Sequence, residues 1–383
     1  MSVIGAIGAR YDVLSVQELS QILPSSGASV HNPYYPEAAA MLRHACGTGS
    51  GCSVAGLTGA AACALVDAVH AAAGPSRNFS MAASARLPAG SSSQEQYMVL
   101  FDSARFTLVA DALYPDSNSD FVRDPWAVHL RDVNGTEFVL LSIHTPPSDA
   151  AEEIAAMAGV LSWAAGLTAN VLLVGDYNAD GSYFSEGAAW NTALFGVAVA
   201  GGGVVGDNFS LVAADSLDTT VAASANAYDR AIITTAWHNA SVAAGGGAAA
   251  LAYPFDSTLN FTALWEEGCG SAAYINTQDC TAKSAGTSST EEQNRVAALE
   301  VSDHFPLELA LCLPGTSVGG SGSLATPSPS PSPSPSSTPG TPEPMPEPAT
   351  SAGSVKTGGA DACSVFTMIT LVTALLLEET YWI

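Results

Sequence analysis

The chain has 383 residues, with 36 Asp or Glu against 11 Lys or Arg, and its formal net charge is −25 at pH 7. Such a surface repels polyanions at long range, and no basic patch interrupts it, which argues against a stable nucleic-acid-binding module. A metal-dependent enzyme that releases its product is compatible with this charge, because bound cations supply local positive charge.

Predicted strands and helices alternate along residues 1–314, which we interpret as one globular domain. Residues 99–101 and 106–110 are predicted to form a hairpin, and the capping-box pattern of Asp149 and Glu152 predicts that a helix begins there. The apolar face of that helix would comprise Ile154, Met157, Ala158 and Leu161. Alternating or continuous apolar runs predict further strands at 126–131, 138–143, 171–174, 231–235 and 307–311. The nearly continuous apolar run 138–143 is typical of a central strand.

The composition changes after the globular part, which itself contains two Ala/Gly-rich stretches (197–206 and 243–252) typical of loop insertions. Residues 315–362 contain a Ser-Pro repeat and Pro-Glu pairs, which predict a disordered, extended stalk. Residues 363–383 form a hydrophobic tail, whose uncharged apolar part, 363–377, is shorter than the roughly 20 apolar residues of a membrane-spanning helix. Small residues upstream favour a membrane or glycolipid-anchor signal, whereas Glu378 and Glu379 disfavour one. The alternative is a short tail that packs or frays.

Cysteines and glycosylation triplets indicate the cellular compartment. The spacings of Cys46 with Cys52 and of Cys269 with Cys280 suit local disulfides, and neither resembles a zinc signature. The three remaining cysteines are left without an assigned partner: Cys63, Cys312 and Cys363. Asn-x-Ser/Thr triplets begin at Asn78, Asn134, Asn208, Asn239 and Asn260. Together these features predict a secreted or cell-surface glycoprotein, although residues 1–10 lack the pattern of a signal peptide.

Acids, amides and histidines follow apolar runs at several places, and strand ends are where α/β sites are normally assembled. The residues concerned are Glu18, Glu95, His144, Asp176, Asn178, Asp229, Asp303 and His304. Carboxylates are the oxygen ligands that Mg²⁺ and Ca²⁺ prefer, and histidines serve as general base and general acid near neutral pH. The set therefore predicts metal-assisted hydrolysis. Neither histidine has zinc-motif spacing, and the motifs of serine hydrolases and nucleotide-binding loops are missing.

In their order along the chain, these segments resemble the deoxyribonuclease I branch of the endonuclease/exonuclease/phosphatase superfamily. The most particular ones are Glu95-Gln96-Tyr97, His144 through Ile154, and Ala227 through Arg230. The likeness runs from about Tyr11 to about Leu313. It implies an α/β (α+β) fold: a four-layer αββα sandwich of two packed, mostly antiparallel sheets flanked by helices.

The resemblance also implies a monomeric, divalent-metal-dependent endonuclease that hydrolyses DNA phosphodiester bonds to 5′-phosphate ends. Glu18 and Asp303 would bind Mg²⁺ or Mn²⁺, and Ca²⁺ would be structural or stimulatory. Arg123 would contact the substrate phosphate. The implied catalytic set is His144 steered by Glu95, His304 steered by Asp229, and Asp176 with Asn178 facing the scissile phosphate.

The chain departs from the family pattern at several positions. The family's first strand, which ends in Phe-Asn and contributes a metal-binding Asn, has no counterpart before the first predicted helix. Ser20 and Ser93 stand where the family has DNA contacts, and Gly181 and Asn226 stand where it has a disulfide. These departures leave two alternatives open: another phosphodiesterase of the superfamily, such as a sphingomyelinase or an inositol-phosphate phosphatase, or an inactive surface-anchored binding domain.

Overall fold

The computed structural model describes residues 2–19, 44–45, 61–85, 87–88, 95–185, 187–199, 202–221, 225–247, 249–254, 302, 304–313 and 363–370. The longer helices within these ranges are α1 (Ser2–Gly8), α2 (Ala61–Ala73), α3 (Ala150–Ala165) and α4 (Thr235–Ala243). Short helical segments lie at Ala188–Trp190, Asn191–Phe195 and Val205–Asp207. The strands are β1 (Val13–Leu19), β2 (His44–Ala45), β3 (Phe79–Ala83), β4 (Gln96–Asp102), β5 (Phe106–Leu113), β6 (Trp126–Asp132), β7 (Glu137–His144), β8 (Val171–Asp176), β9 (Phe209–Leu211), β10 (Asp229–Thr234), β11 (Leu251–Ala252), β12 (Leu307–Cys312) and β13 (Cys363–Thr370).

The strands form two sheets. Sheet I has the order β11-β12-β13-β1-β4-β3-β2, and sheet II has the order β5-β6-β7-β8-β10-β9. Sheet II contains one parallel pair, β7 with β8, because α3 connects these strands and returns the chain to the same end. Sheet I also contains one parallel pair, β1 with β13, and its other described pairs are antiparallel.

Four layers result from the packing of these sheets. A core that includes Val99, Trp126 and Leu309 lies between the two sheets. A second core, with Ile154 and Leu173, joins α3 to the outer face of sheet II. Helices α1 and α2 contact each other, and α2 contacts β3 of sheet I. The predicted αββα sandwich is therefore confirmed, and the predicted central strand 138–143 lies inside sheet II as β7.

The hairpin predicted for residues 99–101 and 106–110 is wrong. Both strands form, but β4 lies in sheet I and β5 lies in sheet II, so the turn between them crosses from one sheet to the other. Strand β4 already has β1 on one side and β3 on the other, and therefore has no edge to offer β5. All of β4 is buried, as expected for an interior strand, whereas β5 alternates at the edge of sheet II.

Helix α3 begins where the sequence predicts, but the predicted capping box does not form. Asp149 makes no side-chain hydrogen bond to the helix, and its Oδ2 accepts one from the Ser148 hydroxyl at 2.9 Å. The predicted apolar face is buried at Ile154, Met157 and Leu161, and Ala158 is half-buried. A further acidic residue of the first turn, Glu153, is buried, although no apolar pattern indicates it.

The first part of the apolar tail is a strand. β13 lies between β1 and β12 in sheet I, parallel to β1 and antiparallel to β12, with Cys363 in register with Cys312. Cys312 is disulfide-bonded. Residues 315–362, together with Cys46, Cys52, Cys269 and Cys280, lie outside the described residues. Within the described part of the chain, no helix is both long and apolar enough to cross a membrane.

Candidate active site

The site is formed where the two sheets end side by side. We call this the site end of the sheets and define it by Glu18, Glu95, His144, Asp176 and Asp229. Strands β1, β7 and β8 arrive there with their carboxyl ends, whereas β4 and β10 start there. The register pairs Asp176 with His144 on one side and with Asp229 on the other. Asp176 consequently lies in the middle of the group.

One histidine is held by a carboxylate from the other sheet. His144 Nδ1 lies 2.7 Å from Glu95 Oε1, which directs Nε2 toward the interior of the site. Arg123 forms an ion pair with the same Glu95 oxygen, and it donates a hydrogen bond to the His144 carbonyl at 3.3 Å. Arg123 therefore braces the Glu95–His144 pair from the loop 114–125.

The second histidine is held in the same way by a different acid. His304 Nδ1 lies 2.5 Å from Asp229 Oδ2, and both residues are buried. The Asp229 backbone N–H donates to Thr219 Oγ1 at 3.1 Å, and His304 forms a β-bridge with Thr220. The ring of Tyr228 lies 6.1 Å from the His304 ring. These contacts fix His304 although it precedes β12 and belongs to no strand.

Asp176 stands between the two imidazoles. Its Oδ2 lies 3.8 Å from His144 Nε2 and 3.8 Å from His304 Nε2. Burial raises the pKa of Asp176, and the two histidines oppose that rise. Asp176 Oδ1 accepts a hydrogen bond from the Asn178 backbone N–H at 2.7 Å, and the Asn178 amide donates to the Thr145 carbonyl at 2.8 Å. The Asp176–Asn178 turn is therefore fixed on both sides.

Two site residues have left-handed backbone conformations. Glu18 has a φ of 58° and Asn178 a φ of 46°, a region that side chains other than Asn, Asp or Gly rarely adopt. At Glu18 the pairing of β1 with β4 shifts between Val16 and Leu19, which marks a bulge. Bulges redirect side chains beside functional sites, and this one brings Glu18 Oε1 within 3.5 Å of His144 Nε2.

Ligand atoms for a metal ion converge at Glu18, Glu95 and His144, all within 4.8 Å of one another. Two carboxylates and an imidazole suit a divalent cation that prefers oxygen ligands. Glu95 is already engaged by Arg123 and His144, so Glu18 is the better-placed carboxylate for an ion. The other predicted ligand, Asp303, lies outside the described residues.

The acids around His144 determine its charge. Burial alone lowers its pKa, but the hydrogen bond to Glu95 and the charges of Glu95, Asp176 and Glu18 outweigh burial and raise it to about 9. The imidazole is therefore protonated at neutral pH in the absence of a cation.

Of the predicted site residues, the structure brings eight together at the site end: Glu18, Glu95, Arg123, His144, Asp176, Asn178, Asp229 and His304. Two supporting residues were not predicted as part of the site. Gln17 is fully buried in sheet I, donates to the Ile143 carbonyl at 2.6 Å, and accepts from the Asp176 N–H at 3.1 Å, both in sheet II. The Tyr97 hydroxyl accepts a hydrogen bond from the His144 N–H at 3.0 Å. A polar Gln within an apolar strand was the available signal for Gln17.

Every arginine that the structure describes is ion-paired with a carboxylate. The pairs are Arg10–Glu308, Arg77 with Asp12 and Asp102, Arg105–Asp12, Arg123–Glu95, Arg131–Glu137 and Arg230–Asp215. Among these residues, positive charge is thus already neutralised, and a polyanionic ligand would depend on a bound cation or on rearrangement of Arg123.

No family model matches the sequence. The chain is similar to deoxyribonuclease-1 of Bos taurus, at 27% identity over 230 residues that cover 57% of this chain and 65% of the bovine protein. It is also similar to deoxyribonuclease-1 of Gallus gallus, at 27% identity over 238 residues, or 59% of this chain and 68% of the chicken protein. The match therefore spans about two thirds of each relative.

Among solved structures, that of ANGEL2, a 2′,3′-cyclic phosphatase, matches with a TM-score of 0.36 at 12% identity, covering 61% of this chain and 73% of that chain. The chain is thus deoxyribonuclease-I-like by sequence, and the resemblance that its motifs indicate, to that branch of the endonuclease/exonuclease/phosphatase superfamily, is confirmed.

Proposed function

We propose that this protein is a divalent-metal-dependent endonuclease that hydrolyses DNA phosphodiester bonds and leaves 5′-phosphate ends. One observation carries the proposal: two histidines, each held at Nδ1 by a carboxylate, present their Nε2 atoms to the same Asp176 oxygen at 3.8 Å. Similarity to deoxyribonuclease-1 supports DNA as the substrate.

The paired histidines supply a general base and a general acid. A carboxylate at Nδ1 fixes the tautomer, so that Nε2 accepts a proton when the ring is neutral and donates one when it is charged. We propose that the scissile phosphate lies between His144 and His304. One imidazole takes the proton of the attacking water, and the other gives a proton to the departing 3′ oxygen.

Asp176, Asn178 and Arg123 complete the proposed machinery. Asp176 lies between the imidazoles and would position the water that attacks phosphorus. Asn178 holds Asp176 through its backbone N–H and would face a phosphate oxygen. Arg123, with a side chain 17% exposed, is the described cation nearest to His144 and would contact the phosphate while it holds Glu95.

The metal that this function requires would be held by Glu18 together with Asp303, with Glu95 and His144 nearby. The donor set fits Mg²⁺ or Mn²⁺, and Ca²⁺ would have a structural or stimulatory role. When bound, the cation would neutralise charge that develops on the phosphate.

We further propose that the protein is a secreted or cell-surface monomer. The Asn-x-Ser/Thr triplets and the paired cysteine spacings support this location. Membrane attachment through residues 363–383 stays a prediction. The position of β13 inside sheet I favours the alternative in which the tail packs against the domain.

The decisive experiment is nicking of supercoiled plasmid by the full chain with Mg²⁺ and Ca²⁺. We expect EDTA to abolish nicking and His304→Ala to lower its rate by at least about 100-fold, the usual contribution of a general acid or base. His129→Ala is the matched control, because His129 pairs with Val139, well along β7 from His144. Nicking that survives His304→Ala would contradict the mechanism.

A second candidate is a phosphodiesterase for smaller substrates, such as sphingomyelin or inositol phosphates. The formal charge of −25 and the ion-paired state of all described arginines disfavour a polyanion and, within this candidate, favour the zwitterionic sphingomyelin. Hydrolysis of bis(4-nitrophenyl) phosphate that requires His304, without plasmid nicking by the same folded preparation, would select this candidate over the endonuclease.

A further inference from the structure

The described glycosylation triplets all lie at the end of the sheets opposite the site, which we call the distal end. Asn78 immediately precedes β3, whose first residue pairs with the last residue of β4. Asn134 lies in the turn that joins β6 to β7. Asn208 immediately precedes β9, which starts beside the last residue of β10. Asn239 lies in α4, which begins directly after β10. Asn78, Asn134 and Asn208 are thus a full strand length from the site end, and the helix that contains Asn239 follows the distal end of β10.

Three of these asparagines are exposed: Asn134, Asn208 and Asn239. Asn134 is at the tip of its turn beside Val133, which is 72% exposed. A bulky hydrophilic glycan must project into solvent in the folded protein. All three exposed positions satisfy this requirement, and the hydrogen bond from Asn134 Nδ2 to Asp132 Oδ2 at 3.1 Å is compatible with it, because a glycosylated Nδ2 keeps one N–H.

Asn78 is different. It is half-buried, and its Oδ1 is buried without a hydrogen-bond partner among the described residues. Its carbonyl oxygen accepts hydrogen bonds from the Ser103 backbone N–H and hydroxyl, both at 2.7 Å. Because Oδ1 and Nδ2 belong to one amide group, a glycan on Nδ2 would have to displace the packing around this buried oxygen, so folding and modification would compete at Asn78.

We propose that Asn134, Asn208 and Asn239 carry N-linked glycans, that Asn78 does not, and that the glycans cover the distal end of the sheets. In each transfer, Asn Nδ2 forms a bond to the anomeric carbon of a lipid-linked diphospho-oligosaccharide. The bond between that carbon and the diphosphate breaks, the diphosphate departs with the electron pair, and Nδ2 loses a proton. Glycans at these three positions would leave the site end accessible to substrate.

The test is expression of the full chain behind a cleavable secretory signal in eukaryotic microsomes. Molecules protected from added protease are then treated with peptide N-glycosidase in ¹⁸O water, which converts each glycosylated Asn to labelled Asp. We expect the label at positions 134, 208 and 239 and an unmodified Asn78. Protected, folded chain without label at the three exposed positions, or with label at Asn78, would overturn the proposal. Since this readout does not involve DNA cleavage, failure of the proposed endonuclease activity cannot be confused with it.

A matched variant tests the location of the glycans. Asp120→Thr creates a triplet at Asn118, which is exposed like Asn134 but lies in the loop 114–125 beside Arg123 at the site end. Given the proposed nuclease activity, a glycan there should lower plasmid nicking at least about tenfold by steric exclusion, and enzymatic removal should restore it. Single Asn→Gln changes at positions 134, 208 and 239 should leave nicking unchanged. A loss of nicking in those three variants would contradict the distal placement.

Discussion

Sheet II is built from one continuous stretch of chain, 106–234, whereas sheet I takes its strands from both sides of that stretch. Strands β1, β13 and β12 are neighbours in sheet I although β13 follows β12 by about fifty residues of chain. The comparison indicates that sheet II can assemble from local connections. Sheet I is complete only when β13 arrives from the far side of the Ser/Pro-rich stretch.

The largest expected effect comes from removing that last strand. Deletion of residues 314–383 takes β13 from between β1 and β12 and leaves buried backbone groups of both strands unpaired. We expect a loss of more than about 5 kcal/mol in the free energy of unfolding, comparable to the stability of a whole domain. Urea denaturation of the purified protein measures it.

Deletion of residues 371–383 alone is the matched control, because it retains β13. If the chain without β13 has a free energy of unfolding within about 1 kcal/mol of that of the full chain, sheet I does not need its distant strand, and the proposed difference between the two sheets is wrong. The nicking assay therefore requires the full chain rather than the globular part alone.

A smaller effect is expected where the two sheets are joined. Gln17→Leu removes the buried hydrogen bonds from β1 to Ile143 and Asp176. We expect a loss of about 2–4 kcal/mol in stability, because each buried polar group that loses its partner costs about 1–3 kcal/mol. Plasmid nicking should fall as well, since Asp176 loses a support.

Ser15→Ala is the control for Gln17→Leu. It removes another side-chain hydrogen bond between β1 and β7, which joins Ser15 Oγ and Ser142 Oγ at 2.9 Å, and should cost about 1 kcal/mol. Equal losses for the two variants would contradict a special role of Gln17 in coupling sheet I to the site.

The last expected effect appears only as pH rises and concerns Glu153, which is buried beside sheet II and accepts a 2.7 Å hydrogen bond from the Val122 N–H. Burial raises the pKa of Glu153 to about 7. Between the unfolded pKa of about 4.5 and this value, the folded state keeps a proton that the unfolded state loses, so stability falls as pH rises. By pH 8 the loss reaches up to about 3 kcal/mol.

Glu153→Gln should abolish this part of the pH dependence, as measured by urea denaturation at pH 5 and pH 8. Glu152→Gln, an exposed change in the same turn, should alter stability by less than about 0.5 kcal/mol at either pH. If Glu153→Gln loses as much stability as the unmodified protein between pH 5 and pH 8, Glu153 is not the group responsible.

Much of sheet II and of the site could be predicted from sequence, because apolar runs report burial and polar residues at their ends report a site. His144, Asp176 and Asp229 were identified in this way, and all three meet at the site end. Strand pairing could not be predicted, because a pattern within a strand reports which faces are buried and not which neighbour pairs with it. The wrong hairpin between β4 and β5 has this cause.

The same reasoning explains the other differences. β13 resembles an anchor in composition, since an apolar segment in a sheet and an apolar segment in a lipid have similar side chains. The support of the site by Gln17 depends on the distance between two sheets, which no spacing within one segment encodes. The burial of Glu153 was not predicted, because an acid in the first turn of a helix is already explained by the helix dipole and lies outside the predicted apolar face.

The position of β13 also has a consequence for biosynthesis. Every other described strand leaves the ribosome before β13, and β12 precedes it by about fifty residues, or about 3–10 s of synthesis. During that interval β1 and β12 expose unpaired edges, which are templates for aggregation. Until β13 is synthesised, these edges need to be covered by a chaperone or by another segment of the chain. Slower translation of the Ser/Pro-rich stretch would lengthen the time during which the nascent chain can aggregate.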